Sequence, residues 1–278
     1  MSAPASNSIW YVYGIVSSEM PETTLPVGLD DMSVSLERND GIAALVSVLD
    51  GDRYAPAALE LSSGDVEWLS PRAVAHDRVL TWASDHGAVV PLPMFSLFSG
   101  QLAVRTMLRD RATQLAATLA SVARGREYAL RVYRVDGELL GAATALSPRL
   151  NDLAKTAASA SVGQRYLLER KLEGEKKLEL RSLSQRIVEE IVSELTPHTL
   201  RVVRSPIPRR GDTEAAARGT MVLNAAFLVA PQAFEGLQRS LTSLVARHGA
   251  HGFRFDFTGP WPPYHFVNET SLTAADDA

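Results

Sequence analysis

The chain has 278 residues, of which 46% are hydrophobic and 22% charged, with a formal net charge of −4 at pH 7. This is the composition of a soluble globular protein, and the length suggests two domains. The absence of cysteine excludes disulfides, thiolate metal sites and thiol catalysis, and the slight acidity argues against a general nucleic-acid binder. No apolar run reaches the roughly 20 residues that span a bilayer. The N-terminus lacks the features of a secretory signal, so we expect a cytoplasmic protein.

The first part of the chain predicts a small sheet. Residues 9–16 are rich in β-forming side chains, which indicates a buried first strand. Residues 33–37 and 42–49 flank Asn39-Asp40-Gly41, a turn sequence typical of a β-hairpin. Residues 88–98 contain two prolines that cannot donate a ladder hydrogen bond, so this segment is predicted to be an edge or irregular strand.

Helices are predicted beside this sheet. Gly64-Asp65 precedes a helical pattern that runs to about His86, and Gly87 is the expected C-terminal stop. A further apolar stripe runs from Val104 to Val122. Residues 1–125 are therefore predicted to form an α+β domain, in which helices pack on a small mixed or antiparallel sheet.

Residues 126–267 predict a second α+β domain. Residues 148–195 are helical in composition, and the helix at 234–248 has a clear apolar face. Strands are predicted at 127–135, 198–205, 220–229 and 253–257. The order strand, long helix, strand, strand, helix, strand is typical of a ferredoxin-like domain, here with a long inserted helix. Residues 268–278 are polar and acidic, and predict a flexible tail.

The long helical segment is a candidate partner-binding element. Its centre, from Glu169 to Arg181, is highly charged, and Gly163 or Gly174 predicts a break or bend. Such a helix either projects as an arm, packs as a short coiled coil, or is an ordinary helix with a solvated face. The candidate partner-binding residues are Tyr166, Leu167, Arg170, Leu180, Leu183, Ile187 and Ile191.

The C-terminal segment has the most distinctive sequence. Phenylalanines alternate with polar residues over 253–257, as in a strand with one buried face. The motif that follows comprises Gly259, Pro260, Trp261, Pro262, Pro263 and Tyr264. Its prolines restrict the backbone to extended or turned conformations. The two aromatic side chains therefore lose little entropy when they dock, and we expect an aromatic clamp that pins the C-terminus to the core. The alternative is an exposed anchor for a partner protein.

This motif, with Phe266-Val267 after it, resembles the C-terminal signature of the gas vesicle protein family that includes the F and L accessory proteins. The similarity extends to the first strand at 9–16, to Tyr166, Leu167 and Arg170 after Gly163, and to the apolar strand at 220–229. Met94 and Ser96 depart from the family pattern, in which an arginine and a glycine are usual. The resemblance implies binding of the shell protein and of other accessory proteins during vesicle assembly, or a minor place in the vesicle itself.

The sequence lacks the familiar phosphate-loop, dinucleotide, zinc-protease and serine-hydrolase motifs. His76 lies on the apolar side of a predicted helix. It is either a core histidine that hydrogen-bonds a backbone carbonyl or a general base. His248 and His251 have a spacing that metals sometimes use. The arginines of the loop at 206–219 are either solvated or a phosphate or nucleic-acid site. We predict no catalytic, cofactor or metal site.

Two main functions remain. A gas-filled shell needs subunits with a strongly apolar face, which would aggregate in water, and an accessory protein could hold them through an apolar patch or a helical arm. The resemblance implies this role, without enzymatic activity and without nucleic-acid or membrane partners, in the cytoplasm and at the gas vesicle. The candidate surfaces are the long helix and the first-domain sheet. The alternative is a ferredoxin-like small-ligand-binding protein or enzyme, which would need a pocket lined by convergent polar groups. Nucleic-acid binding through 201–218 is a third hypothesis.

Overall fold

A computed structural model describes residues 8–62, 64–207 and 219–267. The strands are β1 Ser8–Ser17, β2 Ser35–Asn39, β3 Ile42–Asp50, β4 Val89–Pro91, β5 Leu97–Phe98, β6 Arg126–Arg134, β7 Arg201–Arg204, β8 Thr220–Val229 and β9 Phe253–Trp261. The helices are α1 Pro56–Ser62, α2 Val66–His86, α3 Gln101–Asp110, α4 Ala112–Val122, α5 Asp136–Leu146, α6 Pro148–Ser159, α7 Val162–Leu195 and α8 Phe234–His248. The predicted tail at 268–278 and the arginines of the predicted basic loop lie outside the described residues.

The described chain divides into two compact units. The first contains the residues up to Glu127 together with those from Pro260 onward, and the second is Tyr128–Gly259. The predicted boundary at 125/126 lies within two residues of this division. Residues 260–267, which the sequence analysis assigned to the second domain, group with the first unit, where His265 contacts the Glu127 carboxylate.

The first unit contains a sheet of order β2-β3-β1-β4, with β5 also paired to β1. The pairings of β1 with β3, β4 and β5 and of β2 with β3 are all antiparallel. The predicted hairpin forms between β2 and β3, with Asn39 opposite Ile42. Asp40 and Gly41 both have positive φ, 30° and 84°, which gives the turn the twist that a two-residue hairpin needs.

Helices cover both faces of the first sheet. Side chains of a strand alternate between faces: Ala43 and Leu45 of β3 share a core cluster with α2, whereas the buried Ala44 falls on the opposite face. Helices α3 and α4 contact β3 and carry their own buried stripe from Val104 to Val122. The first-domain sheet, a candidate binding surface in the sequence analysis, therefore has no bare face over the described residues.

The second unit is ferredoxin-like, as predicted. Its sheet order is β7-β8-β6-β9, so the strands stand in the order second, third, first, fourth along the unit. The helices α5, α6 and α7 lie between β6 and β7, and α8 lies between β8 and β9. This is the βαββαβ connection with its first helix enlarged.

The enlarged helical segment differs from the prediction in detail. Helix α5 was not predicted, and the run from 148 to 195 is two helices, separated at Ala160 and Ser161, which have extended backbone. The break falls near Gly163, while Gly174 lies inside α7 without interrupting it. The C-terminal half of α7 packs in the main core of the unit, and its N-terminal half packs on α5 and α6 through Leu172.

Candidate functional site

The C-terminal motif ends β9 and turns the chain back on itself. Gly259 has φ 125°, a backbone conformation that favours glycine. Pro262 and Pro263 are buried, and the short 3-10 turn Tyr264–Phe266 follows. The Tyr264 amide donates to the Pro262 carbonyl at 2.7 Å, so the turn is closed by its own backbone.

A buried carboxylate holds this turn. Glu127 is the last residue of the first unit before the second unit begins at Tyr128, and its side chain is 2% exposed. One of its oxygens accepts from the His265 backbone N–H at 2.9 Å, and the other lies 2.7 Å from Nδ1 of the same residue. Phe266 and Val267 are buried directly after it. Two contacts to a buried carboxylate, combined with apolar anchors, fix the position of the segment on the first unit.

The two aromatic side chains of the motif are only partly buried. Trp261 and Tyr264 are each 39% exposed, in contrast to Phe266 at 2%. Burial of part of the side chain nevertheless raises the pKa of Tyr264, and the negative charges of Asp77 and Glu127 raise it further. The two buried prolines and Phe266 therefore belong to the buried part of the segment, and each of the two aromatic residues keeps an exposed part. Both predicted roles of the aromatic pair, clamp and anchor, remain predictions.

His76 belongs to a buried aromatic cluster of the first unit. Its Nδ1 is 2.7 Å from the Tyr11 hydroxyl, and its ring stacks on Tyr13 at 5.8 Å. The Tyr11 hydroxyl in turn accepts from the Phe95 amide at 3.2 Å. Burial lowers the pKa of His76 to about 4, and a backbone hydrogen bond with Leu92 opposes this only in part. The histidine is therefore neutral at pH 7 and bonded to a phenol and the backbone.

Arg72 forms a second buried polar cluster, which sequence reasoning missed. Its guanidinium donates to Asp30 at 2.6 Å, to the Tyr54 hydroxyl at 3.0 Å and to the Trp68 carbonyl at 2.8 Å. It also lies over the Trp68 ring at 4.1 Å. A charged residue on an apolar helix face gives little signal in a sequence, because its partners come from distant loops. With its donors engaged in this way, Arg72 serves the fold.

The histidine pair of the second unit lies at the C-terminal end of α8 and in the short turn after it. The rings of His248 and His251 are 6.2 Å apart at their centroids, and His248 Nε2 lies 3.2 Å from a Glu190 oxygen. Over the described ranges 8–62, 64–207 and 219–267, no group of three or more His, Cys, Asp or Glu side chains could hold a metal ion. Within the same ranges, no helix combines the length and apolar character needed to cross a membrane.

The structure separates the candidate residues of the long helix into two groups. Leu183, Ile187 and Ile191 are at most 6% exposed. Ile187 and Ile191 lie in the main core of the second unit, with Leu180 packed against it, and Leu183 lies in the smaller cluster that α7 forms with α5 and α6. These side chains are not available to a partner in this conformation. The other candidates, Tyr166, Leu167 and Arg170, are exposed on the N-terminal half of α7.

These observations define an α+β protein of two compact units. Its remaining candidate binding residues lie on the surface. The family model for gas vesicle synthesis protein GvpL/GvpF matches residues 9–268, and this chain belongs to that family. The chain is 26% identical to gas vesicle protein L2 of Halobacterium salinarum over 270 residues, 92% of this chain and 90% of that protein. It is also 26% identical to gas vesicle protein L of a Streptomyces species, over 95% of this chain and 94% of that protein.

Two solved structures share the fold. The crystal structure of gas vesicle protein GvpF from Anabaena matches with a TM-score of 0.67 at 20% identity, over 94% of this chain and 96% of that one. The GvpF structure from Microcystis aeruginosa matches with a TM-score of 0.65 at 18% identity, over 94% of this chain and 99% of that one. The predicted α+β architecture is thus confirmed over nearly the whole chain.

Proposed function

We propose that this chain binds the gas vesicle shell protein and other accessory proteins during vesicle assembly, through folded surfaces and without transforming a substrate. The observation that carries the proposal is the family match, which runs through both units and includes the C-terminal motif. A match confined to one unit would leave the other free for an unrelated activity. Here the matched relatives are themselves covered to 90% or more.

The chemistry of the buried polar groups supports a binding role. His76, the strongest sequence candidate for a general base, has Tyr11 and the backbone of Leu92 as its hydrogen-bonding partners. A general base with a pKa of about 4 would be a weak proton acceptor at neutral pH. The Arg72 guanidinium is likewise engaged by Asp30 and Tyr54. These groups stabilise the interior of the first unit, and this favours a protein that acts through its surface.

Co-purification tests the proposal directly. The full-length chain carrying an affinity tag is co-expressed with the shell protein and, in separate cultures, with each other gas vesicle protein of the same organism. We expect at least one of them to be retained at moderate salt, whereas an unrelated tagged α+β protein of similar size retains none. Failure to retain any of them, together with tight binding or turnover of a small compound, would contradict the proposal and favour the ligand-binding alternative.

A further inference from the structure

A five-residue stripe on the exposed side of α7 has the spacing of a helix-pairing seam. The stripe consists of Leu167, Lys171, Gly174, Leu178 and Arg181, which follow one another at steps of four, three, four and three. Residues at this spacing lie along one side of a helix and form the contact line between paired helices. The two leucines are 66% and 77% exposed, and none of the helices and strands described for the unit covers them. We call this stripe the α7 seam.

The glycine at the centre of the seam is not required by this chain. Gly174 is inside an uninterrupted helix, where glycine is less favourable than alanine, and its backbone has helical rather than positive φ. A Cβ built on it meets nothing within 4 Å. The fold therefore gains nothing from a missing side chain at this point. A small residue between two leucines instead lets a second helix approach closely, as small residues do at other helix contacts.

The seam and the helix surface beside it are also basic, in a chain whose net charge is −4. Arg170, Lys171, Lys177 and Arg181 are all exposed. None of these four cations forms an ion pair within the described part of the chain. Three of the four neighbouring acids are already engaged, since Glu173 pairs with Lys176 at 2.7 Å and Glu175 and Glu179 both pair with Arg149 at 2.7 Å. The fourth, Glu169, is exposed on the same stretch of helix, so it offsets one of the four cations at most. The face thus presents an excess of positive charge around two exposed leucines.

We propose that the α7 seam binds an amphipathic helix of a partner protein whose apolar stripe is flanked by acidic side chains. The leucines supply the apolar contacts, Gly174 permits close approach, and the four cations select the flanking carboxylates. The seam spans about 21 Å at 1.5 Å per residue, which fits a partner helix of about four turns. This inference rests on the proposed function and deepens it, because it states what kind of partner segment this surface takes.

Two other occupants fit the surface less well. A second copy of the chain would bring the same basic face against itself in a two-fold contact, so like charges would meet. A membrane surface favours a continuous apolar face rich in large side chains. Here basic residues separate Leu167 from Leu178, and the other large exposed hydrophobic side chains described on α7, Val162 and Tyr166, lie toward its N-terminal end.

A defined peptide tests the seam in the full-length protein. The probe is a fluorescent 28-residue helical peptide. It carries leucines at alternating steps of four and three along one side, and glutamates on both flanks of that stripe. Its counterpart carries lysine in place of glutamate. Binding is followed by fluorescence anisotropy at low and moderate salt, with vesicles of equal phosphatidylcholine and phosphatidylglycerol as a third ligand. We expect the acidic peptide to bind and to weaken with salt, and the basic peptide not to bind.

Substitutions identify the surface. We expect Lys171→Glu with Arg181→Glu to weaken acidic-peptide binding at least about tenfold. Gly174→Ala should weaken it as well, although this variant unfolds at a higher midpoint than the wild type. The charge-matched control is Arg109→Glu with Lys155→Glu, two exposed cations on α3 and α6, and it should bind as the wild type does.

Several results would overturn the inference. The first is that the acidic peptide fails to bind, or that both peptides bind equally well. The second is that the control variant loses as much acidic-peptide binding as the seam variant, or that Gly174→Ala binds the acidic peptide as tightly as the wild type does. The last is that Lys171 and Arg181 are needed for binding to the vesicles and not for binding to the acidic peptide. Co-purification with gas vesicle proteins separates this failure from that of the proposed function. If the charge-reversed chain still retains every partner that the wild type retains, only the seam is excluded; if the wild type retains none, the proposed function fails.

Discussion

Two regions differ in how far their side chains are buried and paired: the C-terminal segment Pro260 to Val267 and the exposed side of α7. In the C-terminal segment, a buried Glu127 carboxylate accepts from His265, and Phe266 is 2% exposed. On the exposed side of α7, Arg170, Lys171, Lys177 and Arg181 form no ion pair among the described residues, and Leu178 is 77% exposed. The first region uses its side chains to stabilise the fold. The second leaves them available, so substitutions in the two regions should affect different measurements.

The largest expected effect is on the apolar anchor of the C-terminal segment. Phe266→Ala should lower the free energy of unfolding by about 3–5 kcal/mol, because a fully buried aromatic side chain is removed and a cavity remains. Trp261→Ala should cost less than half of that, since Trp261 is 39% exposed. Urea denaturation followed by circular dichroism measures both. If Trp261→Ala costs as much as Phe266→Ala, Trp261 anchors the segment as strongly as Phe266 does and the burial argument is wrong.

The buried carboxylate comes next. Glu127→Ala leaves the His265 amide and ring without their acceptor and should cost about 3 kcal/mol. The control is Glu173→Ala on α7, which removes an exposed carboxylate paired with Lys176 and should change stability by less than about 0.5 kcal/mol. Equal small effects of both substitutions on the urea midpoint would show that the contact between Glu127 and His265 does not hold the segment.

The pH dependence of stability tests the burial of His76 in the first unit, to which the C-terminal segment is fixed. The pKa of His76 is lowered from 6.5 to about 4 by burial, so its folded-state pKa lies below its unfolded value. Its contribution to stability is complete above pH 6.5 and is lost as the pH falls toward 4. The stability difference between wild type and His76→Gln should therefore shrink by about 3 kcal/mol between pH 7 and pH 4.

The difference between the two proteins cancels the titration of the carboxylates they share. Urea unfolding at several pH values provides the measurement. An NMR titration of the His76 ring gives the folded pKa independently, should the variant be too unstable to compare. A ring that titrates near 6.5 in the folded protein would contradict the closed interior.

The smallest effects are expected on α7. Leu178→Ser should leave the unfolding midpoint within about 0.5 kcal/mol of the wild type, because the side chain is exposed. Gly174→Ala should stabilise by up to about 1 kcal/mol. On the same helix, Leu183→Ala should cost about 2–5 kcal/mol, since Leu183 is 2% exposed. A large loss of stability in Leu178→Ser would show that the seam belongs to the fold and would remove the contrast between the two regions.

Local patterns predicted much of the fold. Asn39-Asp40-Gly41 fixed the hairpin, and Asp65 caps α2 by accepting from the Glu67 and Trp68 amides. The ferredoxin-like order followed from the sequence of strand and helix patterns. The break at Ala160 and Ser161 was not predicted at those residues, because both have ordinary composition and the helix-forming signal continues on either side.

The sequence by itself determined the class of the fold, the position of most elements and the two candidate regions, because periodicity, turn residues and prolines act over a few neighbouring residues. Only the tertiary structure decided which candidates are buried. Glu127 and His265 are 138 residues apart, and Arg72 is 42 residues from Asp30. Leu178 and Leu183 are equivalent as hydrophobic residues, yet one is exposed and the other buried. Burial depends on which distant side chains share the space, and local spacing carries no record of them.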